Sequence, residues 1–130
     1  MTIPLWSLLV AGMLPYVWHF VSLPLKMKQV EVDMNEPRAK NDQLTGNAAR
    51  AVAAQANAWE ALALFGVANL TAFMAGVDPT GNWSMAAMIW VAARSLHGIV
   101  YIAGVGVVRL LCFVAGLAMS IWIFVMALMA

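Results

Sequence analysis

The sequence predicts an all-α integral membrane protein, built as a bundle of four transmembrane helices. Its 130 residues are 64% hydrophobic and only 10% charged, whereas an ordinary soluble domain carries about 25% charged residues. The apolar residues form long runs, and about 20 helical residues of this kind are enough to cross a bilayer. We expect one membrane domain over residues 1–130, with its excess apolar surface facing lipid.

Composition also limits the partners of the chain. The formal net charge of +1 gives no indication of a nucleic-acid partner. The single cysteine, Cys112, excludes an internal disulfide, and two distant histidines add no convincing metal site. No P-loop, GxGxxG, CxxC or HExxH motif occurs, so nucleotide binding and zinc hydrolysis have no support. We expect membrane lipids around the protein, and neither a metal ion nor a nucleic acid.

The first predicted helix covers residues 2–25. It is too long for a signal peptide and has neither a basic start nor a small-residue cleavage site, so we expect it in the mature protein. Pro24 marks its predicted end, because proline lacks the N–H that continues a helix. The polar loop 26–47 follows, with four basic residues, Lys26, Lys28, Arg38 and Lys40. By the positive-inside rule, this loop is cytoplasmic and both termini lie outside.

The other three helices are predicted over residues 48–76, 83–104 and 107–130. Thr45 or Asn47 can cap the start of the second helix. Small residues recur every four positions along this helix, at Ala49, Ala53, Asn57 and Ala61. Such spacing lets helix backbones approach closely, within one chain or between chains. We therefore expect an oligomer, whose stoichiometry the spacing does not define.

Polar and ionisable side chains form two stripes inside the predicted spans, although a charge at a helix centre costs about 2.5–3.5 kcal/mol. Steps of three and seven residues place the members of each stripe on one helix face. The first stripe is Arg50, Asn57 and Glu60, the second is Arg94, His97 and Tyr101, and Arg109 lies near the start of the fourth helix. These residues are the candidates for a site within the bundle.

Depth indicates that the two stripes meet. At about 1.5 Å per residue, Glu60 lies roughly 18 Å from the start of the second helix, and Arg94 roughly 16 Å from the start of the third. Both positions are near mid-membrane, so we expect one cavity that opens to the cytoplasmic side. A Glu60–Arg94 ion pair that merely neutralises two buried charges, with Asn57 hydrogen-bonded beside them, explains these residues equally well.

The same residues resemble motifs of the MAPEG family, the membrane-associated proteins in eicosanoid and glutathione metabolism, especially its small bacterial members. The second-helix pattern of the family is matched by Arg50-Ala51, Asn57, Glu60 and Phe65. Its third-helix pattern is matched by "ARSLHGIVY", residues 93–101, and its fourth-helix arginine by Arg109. The order of the helices and the long first loop extend the resemblance over essentially the whole chain.

The resemblance implies a homotrimer in a bacterial inner membrane, with glutathione as co-substrate in sites between neighbouring subunits. Carried over by position, the glutathione-binding residues are Arg50, Asn57, Glu60, Arg94, His97 and Tyr101, and the catalytic residue is Arg109. A guanidinium beside the sulfur favours the thiolate over a thiol whose ordinary pKa is about 8.5. The implied activity is that of a glutathione-dependent transferase or peroxidase acting on a lipophilic molecule.

A second function stays open from the sequence. Gln55 and Ala56 stand where the family often has histidine or basic residues, and Leu110 and Phe113 replace a serine and a tyrosine. The alternative is a non-catalytic protein of the same fold that binds a lipid, a quinone-like molecule or a membrane complex. Ion or proton transport is disfavoured, because the polar stripes stop near mid-membrane.

Overall fold

The computed structural model describes residues 1–130 and contains four long α-helices and no strand. Helix α1 spans Ile3–Met27, α2 spans Gly46–Met74, α3 spans Asn82–Ala103 and α4 spans Gly106–Met129. A short 3₁₀ helix lies at Asn41–Gln43 between α1 and α2. The all-helical prediction is confirmed, and each long helix begins and ends within two residues of the position expected from the sequence.

The sequence had indicated that α1 ends at Pro24, but in the structure it does not end there. The helix continues to Met27, because a proline removes only one backbone donor and the last turn is held from outside the helix. Lys26 in that turn is buried, and its ammonium group donates to the carbonyl oxygen of Pro37 and to the side-chain oxygen of Asn41. Tertiary contacts therefore extend the helix beyond Pro24, where the local sequence predicts its end.

The segment 28–45 folds back onto the end of α1. The Gln29 amide binds the Thr45 backbone in both directions, because its Nε2 donates to the Thr45 carbonyl and its Oε1 accepts from the Thr45 N–H, both at 3.0 Å. Thr45 is the N-cap residue of α2, although its hydroxyl makes no capping hydrogen bond. The end of the bundle that carries this segment is called the loop end below.

The turn between α2 and α3 lies at the opposite end of the bundle. The Asp78 Oδ1 accepts hydrogen bonds from the Thr80 N–H at 2.8 Å and from the Thr80 hydroxyl at 2.7 Å. These two bonds favour the ionised carboxylate, so the pKa of Asp78 lies below its ordinary value. The turn is therefore stabilised by a charged side chain.

Helix α2 contacts the three other long helices, and the largest helix pairs are α3 with α4 and α1 with α2. The core contains two large aromatic contacts. Phe65 and Trp90 stack with ring centroids 3.9 Å apart, and the Trp83 Nε1 donates to the buried Asn69 Oδ1 at 2.9 Å. The Asn69 Nδ2 donates in turn to the Phe65 carbonyl at 2.8 Å. These contacts fix α2 against α3 in the half of the bundle away from the loop end.

Gly98 permits a close contact between α1 and α3. A Cβ atom on this residue would lie 2.2 Å from Cε2 and Cζ2 of Trp18, which is far inside contact distance. The indole of Trp18 is buried there and belongs to the core. The missing side chain thus sets how closely the first helix packs on the third.

Most apolar side chains lie on the outside of the bundle. Only 29 of the 130 residues are buried, and a surface of this kind is stable when it faces lipid. Helices α1, α3 and α4 are long and apolar enough to cross a membrane, which indicates a membrane protein. The remaining predicted span, helix α2, does not reach the same apolar content. It carries two charged residues, Arg50 and Glu60, and many alanines.

Candidate functional site

A half-open cavity of about 180 Å³ lies between α2, α3 and α4, near the middle of these helices. It is called the mid-bundle cavity below. Its polar lining residues are Asn57, Glu60, Arg94 and Ser120. Its other lining residues are Ala61, Leu64, Trp90, Phe113, Gly116 and Leu117. A few polar groups therefore converge on a cavity with mainly apolar walls, which is the usual composition of a small-molecule site.

Asn57 lies between Arg94 and Glu60. The Arg94 Nη2 donates to the Asn57 side-chain oxygen at 2.5 Å and to the Asn57 backbone oxygen at 3.2 Å. The Asn57 Nδ2 donates to the Glu60 Oε2 at 3.4 Å. The direct Glu60–Arg94 ion pair anticipated from depth is thus replaced by a relay through an amide, which offers both an acceptor and a donor.

Gly116 makes room for the Arg94 side chain. A Cβ atom on Gly116 would lie 2.8 Å from Cδ and 3.3 Å from Cγ of Arg94. The aliphatic part of Arg94 therefore crosses the surface of α4 at a point without a side chain. Small buried residues recur every four positions there, at Cys112, Gly116 and Ser120. This spacing is the sequence signal for the close approach of α3 and α4.

A second pocket, of about 210 Å³, lies at the loop end between the start of α2, the end of α3 and the start of α4. It is called the loop-end pocket below, and Arg50, Tyr101 and Arg109 line it. The Arg109 guanidinium carbon lies 4.6 Å from the centroid of the Tyr101 ring, in the range of a cation–π contact. Two guanidinium groups beside a phenol are well suited to bind carboxylates.

Arg50 also completes the end of α3. Its Nε donates to the Ile102 carbonyl oxygen at 3.0 Å, which is one of the carbonyls that a helix leaves unpaired at its C-terminus. Gly104 then ends the helix with a φ of +83°, a left-handed conformation that favours glycine. The cation is thus held in place by the backbone of the neighbouring helix, next to the loop-end pocket.

His97 lies between the two pockets and lines neither of them. Only 3% of its surface is exposed. Its ring makes an edge contact with Tyr101 at 5.5 Å between centroids and lies 6.4 Å from the Phe113 ring. His97 therefore packs among aromatic side chains and supports the Tyr101 ring from within the bundle.

A third polar pocket, of about 160 Å³, lies on the other face of α2, against α1 and the loop. Its polar lining residues are His19, Ser22, Lys26, Arg38, Asn41 and Gln55. Asn57 and Gln55 are two residues apart, which places them roughly 200° apart around the helix. Asn57 on one face of α2 thus lines the mid-bundle cavity, and Gln55 on the other face lines this basic pocket.

The predicted site residues all lie between α2, α3 and α4, but the single cavity expected from their depth is divided in two. Asn57, Glu60 and Arg94 line the mid-bundle cavity, and the other candidates, Arg50, Tyr101 and Arg109, line the loop-end pocket. Aromatic packing around His97 separates them. The apolar lining residues were missed, because they resemble any lipid-facing residue until the rotation of α4 is known.

The model of the MAPEG family matches residues 3–129 of this chain. The chain belongs to the MAPEG family. No curated protein and no solved structure matches it. The MAPEG family includes glutathione transferases and peroxidases as well as non-catalytic members. The match extends over all four helices, so it agrees with the resemblance inferred from the motifs on α2, α3 and α4.

Proposed function

We propose that this MAPEG protein is a glutathione-dependent transferase or peroxidase that acts on a lipophilic substrate in the membrane. The main support is the position of two pockets between the same three helices. The loop-end pocket presents two arginines and a tyrosine, and the mid-bundle cavity combines polar groups with apolar walls. A charged tripeptide and a lipophilic molecule need these two environments side by side.

The spacing of the polar residues suits a tripeptide. Arg50 and Asn57 are seven residues apart on α2, or about 10 Å along the helix. A tripeptide is about 10 Å long when extended, and the side chains of Arg50 and Asn57 shorten the distance that a folded one has to span. In the proposed complex, Arg50 and Tyr101 bind the peptide portion of glutathione at the loop end, while Asn57 and Glu60 bind its amine.

The other candidates complete this arrangement. Arg94 holds Asn57 through two hydrogen bonds, and His97 packs on the Tyr101 ring. Arg109 supplies a positive charge beside the sulfur. A nearby guanidinium lowers the pKa of a thiol, so that more of the nucleophilic thiolate is present at neutral pH. The thiol proton leaves to water, and the sulfur lone pair then attacks the lipophilic substrate.

The proposed assembly is a homotrimer with sites between neighbouring subunits. Glu60 is exposed on the surface of the single chain, and a carboxylate at this depth is costly if it faces lipid. The small residues Ala49, Ala53 and Ala61 on α2 are only half-buried, which leaves them available for contact with a second copy. The basic pocket on the other face of α2 offers a polar surface to Glu60 of a second copy, at about the same depth along the helix.

The proposed location is a bacterial inner membrane, with the loop end on the cytoplasmic side and both termini outside. The basic residues of the chain are concentrated in and near the segment 28–45, whereas the turn at the opposite end carries only Asp78. This asymmetry follows the positive-inside rule. Glutathione is abundant in the cytoplasm of many cells, so the loop-end pocket would open toward its supply.

The first test is glutathione binding by the detergent-solubilised protein. Wild-type protein is expected to bind glutathione at millimolar concentration or below, and Arg109→Ala is expected to weaken binding, because it removes a cation from the loop-end pocket. Lys28→Ala is the matched control, since Lys28 is an exposed cation of the loop and lines none of the pockets described above. No binding by the wild-type protein at millimolar glutathione would overturn the proposal.

The alternative function is a non-catalytic MAPEG protein that binds a lipid, a quinone-like molecule or a membrane complex. The mainly apolar walls of the mid-bundle cavity favour it, since they suit a hydrocarbon chain without any thiol. This alternative predicts that Glu60→Gln combined with Arg94→Met preserves assembly and ligand capture. Lipid analysis of the purified wild-type and variant proteins distinguishes it from the first proposal.

A further inference from the structure

The basic pocket between α1, α2 and the loop collects cations and hydrogen-bond donors. It has a volume of about 160 Å³. Lys26 and Arg38 line it, together with the His19 ring and the amide groups of Asn41 and Gln55. No aspartate or glutamate lines it. A lining of this kind suits an anion, and phosphate groups are common ligands of lysine and arginine side chains.

Lys26 is a buried cation whose hydrogen-bond partners are both neutral. Only 7% of the residue is exposed. Its ammonium group has three N–H donors and donates to two oxygens, the Pro37 carbonyl and the Asn41 side-chain oxygen. One donor is therefore left for the pocket that Lys26 lines. A buried charge with only neutral partners is costly, and an anion in the pocket would neutralise it.

The carboxylates of the chain do not fill this place. Three of them line a neighbouring pocket of about 520 Å³ and are exposed, namely Glu31, Asp33 and Glu36. Glu60 of a second copy would meet only the inner end of the basic pocket, because Glu60 lies about 7.5 Å farther from the loop end than Gln55. Lys26 and Arg38, on the loop side, keep their charges free for a ligand.

The surroundings of the pocket indicate what kind of molecule carries the anion. The pocket lies at the end of α1, a helix long and apolar enough to cross a membrane, which is the level of lipid head groups. Leu23 lines the pocket. Phe20 and Tyr16 precede it by three and seven residues, on the same helix face, and are 69% and 50% exposed. An exposed apolar stripe about 10 Å long thus leads from the pocket toward the membrane centre.

We propose that the basic pocket binds the phosphate group of an anionic phospholipid, whose acyl chains lie along Phe20 and Tyr16. Basic pockets between transmembrane helices are suited to anionic head groups. Arg38 supplies a planar fork for the phosphate oxygens, and Lys26 supplies a point charge. The bound lipid connects α1, α2 and the loop, which all line the pocket. This site does not depend on the proposed glutathione-dependent function, because none of the candidate glutathione-binding residues lines it.

The test measures lipid binding to the detergent-solubilised protein by native mass spectrometry. Wild-type protein is expected to bind phosphatidylglycerol about tenfold more tightly than phosphatidylcholine with the same acyl chains, because the choline group cancels the phosphate charge. Arg38→Gln is expected to weaken phosphatidylglycerol binding about fivefold and to leave phosphatidylcholine binding unchanged. The absence of a preference in the wild-type protein would overturn the proposal.

Lys28→Gln is the matched control. It removes the same charge from the same exposed loop, but Lys28 does not line the basic pocket. This variant is expected to bind phosphatidylglycerol as the wild-type protein does. Equal weakening in Arg38→Gln and Lys28→Gln would overturn the site, since it would mean that the lipid is attracted by the charge of the whole loop.

Competition distinguishes the lipid from soluble anions. Wild-type protein is expected to retain phosphatidylglycerol in the presence of millimolar inorganic phosphate, because the acyl chains add contacts along α1. Displacement by inorganic phosphate would overturn the assignment to a lipid. Millimolar glutathione is likewise expected to leave the lipid in place, and displacement by glutathione would show that the pocket belongs to the glutathione site instead.

Thermal unfolding gives a second readout, because a ligand that binds only the folded state stabilises it. Phosphatidylglycerol is expected to raise the Tm of the wild-type protein and of Lys28→Gln by more than it raises the Tm of Arg38→Gln. Phosphatidylcholine is expected to change all three equally. A rise with phosphatidylglycerol that is the same in all three proteins would contradict binding in the basic pocket.

Discussion

Arg94 and Asn57 are joined by two hydrogen bonds across the interface between α3 and α2, at 2.5 Å to the side-chain oxygen and 3.2 Å to the backbone oxygen. Asn57 also donates to Glu60 at 3.4 Å, so a neutral amide stands between a buried cation and a carboxylate. Hydrogen bonds to ionised groups contribute about 1.5–3 kcal/mol each. The same contacts thus stabilise helix packing and orient the polar groups of the mid-bundle cavity.

Asn57→Ala is expected to lower the free energy of unfolding by about 1.5–3 kcal/mol. The buried guanidinium keeps the backbone acceptor but loses the shorter of its two bonds. Thermal or chemical unfolding in detergent measures the change. Asn47→Ala is the control, because Asn47 is exposed at the start of α2. Equal stability of the two variants would show that the Arg94–Asn57 contact does not hold the helices together.

Gly116→Ala is expected to displace Arg94 and to destabilise the protein by about 1–3 kcal/mol, the usual cost of overpacking. The new Cβ would lie 2.8 Å from the Arg94 Cδ, so either the side chain or α4 must move. Unfolding experiments measure the loss, and a crystal structure or cryo-EM map locates the guanidinium.

Gly66→Ala is the matched control for Gly116→Ala. It also adds a methyl group within a helix, but its Cβ would meet only the Leu8 Cδ1 at 3.9 Å, an ordinary contact. Alanine has the higher helix propensity by about 0.5–1 kcal/mol in water, so this variant is expected to be neutral or slightly more stable. Similar destabilisation of both variants would show that the contact between Gly116 and Arg94 has no special importance.

The helices were predictable because their signal is local and long. Three strongly apolar runs and one alanine-rich run, separated by polar segments, define the helices to within two residues at each end. The error at Pro24 has a non-local cause, since the Lys26 contacts with Pro37 and Asn41 hold the last turn of α1. A contact between segments separated by more than ten residues leaves no periodic pattern in the sequence.

The candidate site was only partly predictable for a similar reason. Depth counting placed Glu60 and Arg94 at the same level, and both line the mid-bundle cavity. It did not show that Asn57 would lie between them or that packing around His97 would divide the cavity. Those outcomes depend on helix rotation and side-chain volume, which a list of polar residues does not contain.

Gly98→Ala is expected to separate α1 from α3, because the new Cβ would lie 2.2 Å from two atoms of the Trp18 ring. We expect a loss of at least about 1–3 kcal/mol in the free energy of unfolding. The measurement is unfolding in detergent, followed by tryptophan fluorescence. Trp18→Leu in the same chain removes the clashing ring, so the double variant is expected to lose less stability than the sum of the two single variants. Additive losses would mean that the two residues act independently.

Thr80→Val is expected to make stability depend less on pH in the acidic range. The Thr80 hydroxyl and N–H both donate to Asp78 and keep the pKa of its carboxyl below the ordinary value. Removing the hydroxyl brings this pKa closer to its ordinary value of about 3.9. A carboxyl with a lowered pKa in the folded state contributes stability above its ordinary pKa, and this contribution is lost as the pH falls through the folded value.

The Tm difference between wild-type protein and Thr80→Val is therefore expected to be present at neutral pH and to shrink as the pH falls below about 4. Asp78 is exposed at the end of the bundle, so the difference is expected to be small. Thr71→Val is the matched control, because the Thr71 hydroxyl donates at 2.8 Å to the Val67 carbonyl, which does not titrate. Its effect on Tm is expected to be the same at every pH. If Thr80→Val behaved in that way too, the ionised Asp78 would not be what the hydroxyl stabilises.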